Sequence, residues 1–251
     1  IRAAFGPAFA DEMRAMMTGA PLDLRINPFK ITRENAMKSL AKDGAPSDET
    51  PFSPWGIRLR SKAFLSNTKA FREGWVEIQD EGSQLIALVC GAAPGMQVLD
   101  YCAGAGGKTL ALAGAMMNKG RVVAMDTEEA RLNKARLRFR RAGVHDIIEV
   151  RPLSDERHRK WLRRQKETFD VTLVDAPCSG SGTWRRNPDG RWRQFGPSLE
   201  ELIKTQAEIL DRVAGTVKIG RPGGLTSASF VPARKHKKGG TVFLRHPHPT
   251  A

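Results

Sequence analysis

Asp175 and Cys178 stand three residues apart in the run DAPCSGSGTWRRNPD (175–189), directly after an apolar, strand-like stretch, FDVTLV. The carboxyl ends of strands in an open α/β sheet face the ligand crevice, so a carboxylate and a thiol at that edge are placed for chemistry. Pro177 ahead of the thiol and the small residues behind it make a rigid turn that another molecule can approach closely. Trp184, Arg185 and Arg186 add a stacking surface and phosphate-binding cations, which suits a nucleobase. A lone cysteine is more often a small buried hydrophobe; its neighbours set Cys178 apart.

A second constellation is VLDYCAGAGGKT (98–109), a glycine-rich turn between an apolar strand and a helix. Backbone N–H groups in such a turn, with the helix N-terminus, favour an anionic ligand group. The run has neither the GxGxxG spacing of dinucleotide dehydrogenases nor the GxxxxGK[ST] spacing of a P-loop. Asp126 ends the following strand, where a carboxylate can accept both ribose hydroxyls. Together they fit an adenosine cofactor; the competing reading is glycines that serve close helix–strand packing.

The elements that position these groups follow from periodicity. Residues 80–92, 108–117, 128–143, 155–167 and 198–217 have helical spacing, the last with Ser198 as cap and Glu201 three positions on. Strands are expected at 96–102, 121–126, 147–151 and 169–176, so the region reads as a doubly wound, mostly parallel sheet. Ahead of it lie a helix over 1–20, a strand at 22–27, a helix at 32–44 and a strand at 55–59. This is a small α/β domain, with a boundary near residue 77.

The 41 Lys and Arg outweigh 27 Asp and Glu, a net charge of +14 that favours a polyanionic partner, nucleic acid first. About half of the arginines in 131–141 and 157–164 are expected to lie on solvated helix faces. Three cysteines, Cys90, Cys102 and Cys178, match neither a disulfide framework nor a zinc site, and the histidines lack metal-ligand spacing. A soluble, metal-free monomer of the reducing cytoplasm is expected, without a membrane segment. The start at Ile1 without a methionine reads as a fragment of a longer protein.

Taken in order, QDEGSQ (79–84), LDYCAGAGGKT (99–109) and DAPCSGSGTWRRNPD (175–189) resemble successive signatures of the RsmB/Nop/Sun RNA cytosine-C5 methyltransferases. LRIN (24–27) resembles the family's N-terminal RNA-recognition region, so the likeness runs from about residue 20 to Gly224. The resemblance implies a Rossmann-like class I methyltransferase fold, S-adenosyl-L-methionine as cofactor and RNA, ribosomal RNA by analogy, as substrate. It divides the chain into an RNA-binding region at 1–77, a methyltransferase domain at 78–225 and a divergent basic tail at 226–251. Cys102, Ala103, Gly104, Ala105, Gly106, Gly107 and Lys108 would wrap the cofactor, with Asp126 on its ribose, Arg131 nearby and Asp175 closing the site. Arg25, Asn27, Arg185 and Arg186 would contact RNA.

By the same resemblance, a cysteine thiolate adds to C6 of cytosine and makes C5 nucleophilic toward the sulfonium methyl group. The attacking cysteine of the family lies in a later TCS motif, while the cysteine matching Cys178 helps to release product and Asp175 hydrogen-bonds the base. Here RPGGLTSASFVPARKHKKGG (221–240) puts Ala228 at the nucleophile position, no cysteine follows Cys178, and a basic run replaces the usual acidic residues. The sheet is therefore expected to have an incomplete C-terminal edge. One explanation is a reading-frame change near Gly224, which predicts an acidic and apolar continuation in the shifted frame. Another is that Cys178 is itself the nucleophile, as in DNA cytosine-C5 methyltransferases. A third is a non-catalytic protein that keeps its cofactor and RNA sites. A small-molecule methyltransferase would explain the glycine loop but not the arginine-rich helices.

Overall fold

In the computed structural model, residues 5–192 and 196–218 are described. After helix α1 (Phe9–Met17), the N-terminal part contains β1 (Asp23–Ile26), α2 (Arg33–Lys42), β2 (Ser47–Glu49), β3 (Gly56–Leu59), the short α3 (Lys69–Arg72) and β4 (Val76–Ile78). The strands form an antiparallel sheet ordered β2-β3-β1-β4. Leu24, Ile26, Ile57, Leu59 and Val76 pack with Ala36 and Leu40 of α2 into one apolar core. Thr32 starts α2 by accepting a hydrogen bond from the Asn35 N–H, the ordinary work of an N-cap.

Two of these strands are absent from the reading of periodicity. Ser47–Glu49 is wholly polar and sits between prolines, and Val76–Ile78 is too short for alternation to register. Because β4 reaches Ile78, the boundary drawn near 77 falls within a strand of the first sheet.

The second part contains α4 (Glu81–Val89), β5 (Gln97–Asp100), α5 (Gly107–Ala115), β6 (Arg121–Asp126), α6 (Glu129–Ala142), β7 (Ile148–Pro152), α7 (Glu156–Arg163), β8 (Val171–Leu173) and α8 (Leu199–Ala214). The strands run parallel in the order β7-β6-β5-β8. Alternate residues feed opposite faces, as a strand requires. Val98 and Val122 pack with Leu110, Leu112 and Phe139 on one side, while Leu99, Val123 and Met125 pack with Leu162, Ile209 and Val213 on the other. Helices thus cover both faces of a doubly wound, Rossmann-like sheet. The chain moves outward from β5 to β7 and then returns to β5's other side with β8, which opens a crevice between β5 and β8. The tail at 226–251, Ala228 and the expected incomplete edge lie outside the described residues.

The two parts are bolted together at the C-terminus of α6. Asn27 Nδ2 donates to the Ala142 carbonyl at 2.9 Å, and Lys30 Nζ donates to the carbonyls of Arg141 and Glu73, each at 2.9 Å. These groups satisfy carbonyls that a helix end leaves without an intrahelical partner. Gly74 adopts φ +65°, and a Cβ there would fall 2.1 Å from the Arg141 carbonyl oxygen, so only glycine permits this approach.

Candidate functional site

The glycine loop leaves β5 at the crevice and is pinned on both sides. Tyr101 N donates to the Leu173 carbonyl of β8, and Ala103 N donates to the Met125 carbonyl of β6, both at 2.9 Å. Gly104 and Gly106 take positive φ, +55° and +79°. A Cβ on Gly106 would lie 2.5 Å from the Phe139 ring, and one on Gly104 would lie 2.5 Å from the Arg131 guanidinium. The glycines therefore serve both backbone conformation and close packing, and they bring exposed Arg131 against the loop. Gly106 is also the N-cap of α5, so the first N–H groups of that helix point out of the turn.

Carboxylates surround the loop. Asp126 is buried at the end of β6; its Oδ2 accepts from Gly104 N at 2.7 Å and its Oδ1 from Glu128 N at 2.8 Å. Asp100, fully buried at the end of β5, accepts from Thr109 Oγ1 at 2.7 Å through Oδ2, while its Oδ1 has no hydrogen-bond partner. Burial pushes the Asp100 carboxyl up to about 7, against the opposing pull of the Thr109 bond and of Lys108. Burial likewise pushes the Cys102 thiol up to about 12, reinforced by Asp100, Asp126 and Asp175, so Cys102 stays a thiol and serves as part of the loop wall. Cys90, buried away from the loop in the core, is raised to about 12 for the same first reason.

Lys108 joins the two constellations. Its Nζ donates to Asp175 Oδ2 at 2.6 Å, from the first turn of α5 to the irregular segment after β8. Cys178 follows, half-buried, and Gln206 of α8 donates its Nε2 to the Pro177 carbonyl at 2.8 Å, which holds the turn before the thiol. Arg212 of the same helix donates to the Tyr101 hydroxyl at 3.2 Å.

The four expected RNA contacts divide. Arg186 pairs with Asp80 at 2.6 Å, and Arg185 donates to the carbonyls of Thr18 and Gly19, so both strap the segment after Cys178 onto the N-terminal part while remaining exposed. Arg25 and Asn27 are 3% and 7% exposed. Arg25 donates to Gly107 and Gln79, and Asn27 donates to Ala142 and accepts from Phe29 N. Both are buried, and their polar groups face the domain junction rather than solvent. Asp155 caps α7 and is held down to about 2 by its hydrogen bonds with Arg157. Gln79 and Arg138 also border the loop, and Glu77 pairs with Arg138; in the sequence only the QDEGSQ run points to Gln79, and nothing singles out the other two.

The family described as 16S rRNA methyltransferase RsmB/F matches residues 87–229, more than half of the chain. The chain belongs to that family. Residues 1–64 match the ferredoxin-like domain of RsmF/B-like methyltransferases. "Probable ribosomal RNA small subunit methyltransferase B" of Synechocystis sp. is 33% identical over 91% of this chain and 51% of its own length. The crystal structure of PH0851 superposes with a TM-score of 0.81 at 30% identity, over 91% of this chain and 51% of that one. A methyltransferase homolog protein from Pyrococcus horikoshii gives 0.73 at 26% identity, over 91% and 72%. The chain thus spans about half the length of the curated relatives it matches. With the RsmB/F assignment, the parallel sheet is that of a class I methyltransferase. Among the described residues, no helix is long and apolar enough to cross a membrane, and no group of three His, Cys, Asp or Glu could hold a metal ion.

Proposed function

We propose that this RsmB/F chain binds S-adenosyl-L-methionine in the glycine loop between β5 and α5 and acts on C5 of cytosine in ribosomal RNA, in the cytoplasm. The observation that carries the reading is the Lys108–Asp175 pair, which joins the glycine loop to the DAPC segment at the crevice. The residues fit such a cofactor. Asp126 offers a carboxylate to ribose hydroxyls, and the positive-φ glycines let the loop turn tightly at the N-terminus of α5, where backbone N–H groups are available. Cys102 through Lys108, Asp126, Arg131 and Asp175 are the cofactor residues in this reading. When bound, the cofactor supplies an electrophilic methyl group.

The chain's own residues do the rest. Asp175, held by Lys108, hydrogen-bonds the cytosine ring and favours its activated form. A thiolate that adds to C6 would push electron density onto C5 and make it nucleophilic toward the methyl group that the bound cofactor would supply, with the sulfur leaving as a neutral thioether. Removal of the C5 proton expels the thiolate and restores the aromatic ring. Cys178 is the thiol at this edge, as nucleophile or as the group that assists release. Exposed Arg185 and Arg186 supply phosphate contacts, and the +14 charge supports a polyanionic substrate.

A second reading, a non-catalytic cofactor- and RNA-binding protein, is favoured by Ala228 at the family's nucleophile position. Transfer of labelled methyl to unmodified ribosomal RNA separates the two. Methylcytosine that vanishes in Cys178→Ala supports an enzyme that depends on this thiol. Cofactor binding without transfer supports the second reading, and transfer unchanged in Cys178→Ala removes Cys178 from the chemistry.

A further inference from the structure

The N-terminal sheet reaches the glycine loop from behind. Arg25 of β1 sends Nη1 to the Gly107 carbonyl at 3.1 Å and to Gln79 Oε1 at 3.0 Å. Arg138 of α6 donates to the Ala105 carbonyl, and its Nε lies 3.3 Å from Glu77 Oε2. Glu77, on β4, also accepts from Arg141 Nη2 at 2.7 and 2.8 Å through its two oxygens. A loop carbonyl, that of Ala105, and the first carbonyl of α5, that of Gly107, are therefore held by guanidinium groups, and Gln79 and Glu77, beside and within β4, orient those groups.

A peptide unit is planar, so a fixed carbonyl also fixes the N–H of the next residue, pointing the opposite way. Holding the Gly107 carbonyl on the side of the N-terminal sheet thus fixes the Lys108 N–H, in the first turn of α5, pointing away from that sheet. If the cluster served only to glue two domains, apolar residues would do as well and would avoid burying charge. Arg25 is instead buried with its Nε unpartnered, and Arg141 Nε is unpartnered too. That cost goes with a bond to the loop that an apolar side chain could not make.

We propose that Arg25, seconded by Arg138, is a positioning residue for the cofactor: the N-terminal domain sets the backbone of the glycine loop and thereby the affinity for S-adenosyl-L-methionine. The inference rests on the cofactor reading above. The control runs through the Arg25–Gly107 and Arg138–Ala105 bonds in particular, and no residue of the N-terminal domain need touch the cofactor.

The test is calorimetric titration of the full chain with S-adenosyl-L-methionine and with its demethylated product, at a temperature where circular dichroism shows each variant folded. Arg25→Met and Arg138→Gln should each weaken binding about tenfold, corresponding to about 1.4 kcal/mol. Arg25→Lys, which keeps a donor, should recover part of the loss. Lys30→Met loosens the same junction at the α6 end without touching the loop. It should lower the melting temperature and leave affinity within about twofold. Wild-type affinity in both Arg25→Met and Arg138→Gln overturns the proposal, as does an equal loss in Lys30→Met. If Arg25→Met fails to fold, Arg138→Gln, at a less buried position, decides alone. Failure of the unmodified chain to bind overturns the cofactor reading itself, an outcome distinct from binding that the variants leave intact.

Discussion

Lys108 and Asp175, 67 residues apart in sequence, meet across the crevice with Nζ 2.6 Å from Oδ2 and side chains only 11% and 31% exposed. A charge-assisted hydrogen bond in such partial burial is worth about 2 kcal/mol. Lys108→Met should lower the free energy of unfolding by about that amount in a urea titration. It should also weaken methyl transfer, because Asp175 loses the group that fixes its position. A stability unchanged within about 0.5 kcal/mol would mean that the pair is solvated in solution.

Gly106 is the most demanding glycine of the loop. Its φ of +79° and the Phe139 ring 2.5 Å from a would-be Cβ both oppose any side chain. Gly106→Ala should cost about 2 kcal/mol or more, from left-handed strain plus overpacking. Gly107→Ala, with its nearest neighbour at 3.6 Å and a helical position, should cost far less. Thermal melts of the two variants side by side decide the point.

Asp100 gives stability a specific pH dependence. An aspartate in the unfolded chain ionises near pH 4, whereas burial holds the folded carboxyl protonated up to about 7. Between those values the folded state carries the extra proton, so stability falls as pH rises through the window and levels off above it. Asp100→Asn lacks this titration. Its melting temperature relative to the unmodified chain should therefore rise between pH 5 and pH 7.5, and a constant difference would contradict a raised Asp100.

Asn27 separates structure from RNA recognition. Asn27→Ala removes the bond to the Ala142 carbonyl and should cost about 1 kcal/mol. RNA affinity and its salt dependence should stay unchanged, because the side chain is buried. Arg185→Ala, at an exposed position, should instead reduce the slope of log affinity against log salt by about 1. Filter binding at several salt concentrations measures both.

The site's local parts were legible in the sequence because they rest on neighbours in the chain. The glycine turn, the Asp126 strand end, the DAPC segment and the Ser198 capping box each use residues within a few positions of one another, and short apolar runs between helical segments located β5 and β6. The family resemblance rested on the same local runs. Strands β2 and β4 escaped because three residues cannot display a period, and their stability comes from pairing with β3 and β1 across the sheet.

What only the tertiary structure decided is where polar side chains find partners. Arg25 and Asn27 resemble RNA contacts when read beside LRIN, yet their partners are Gly107 and Ala142, 82 and 115 residues further on. A buried arginine and a surface arginine are the same letter. Which one it is depends on the sheet that forms behind it and on whether a carbonyl lies within reach, and periodicity cannot report either. The sequence thus determined the chemistry that the crevice could hold, and folding decided that the N-terminal sheet would grip the loop that holds it, because that grip depends on contacts between segments distant in the chain.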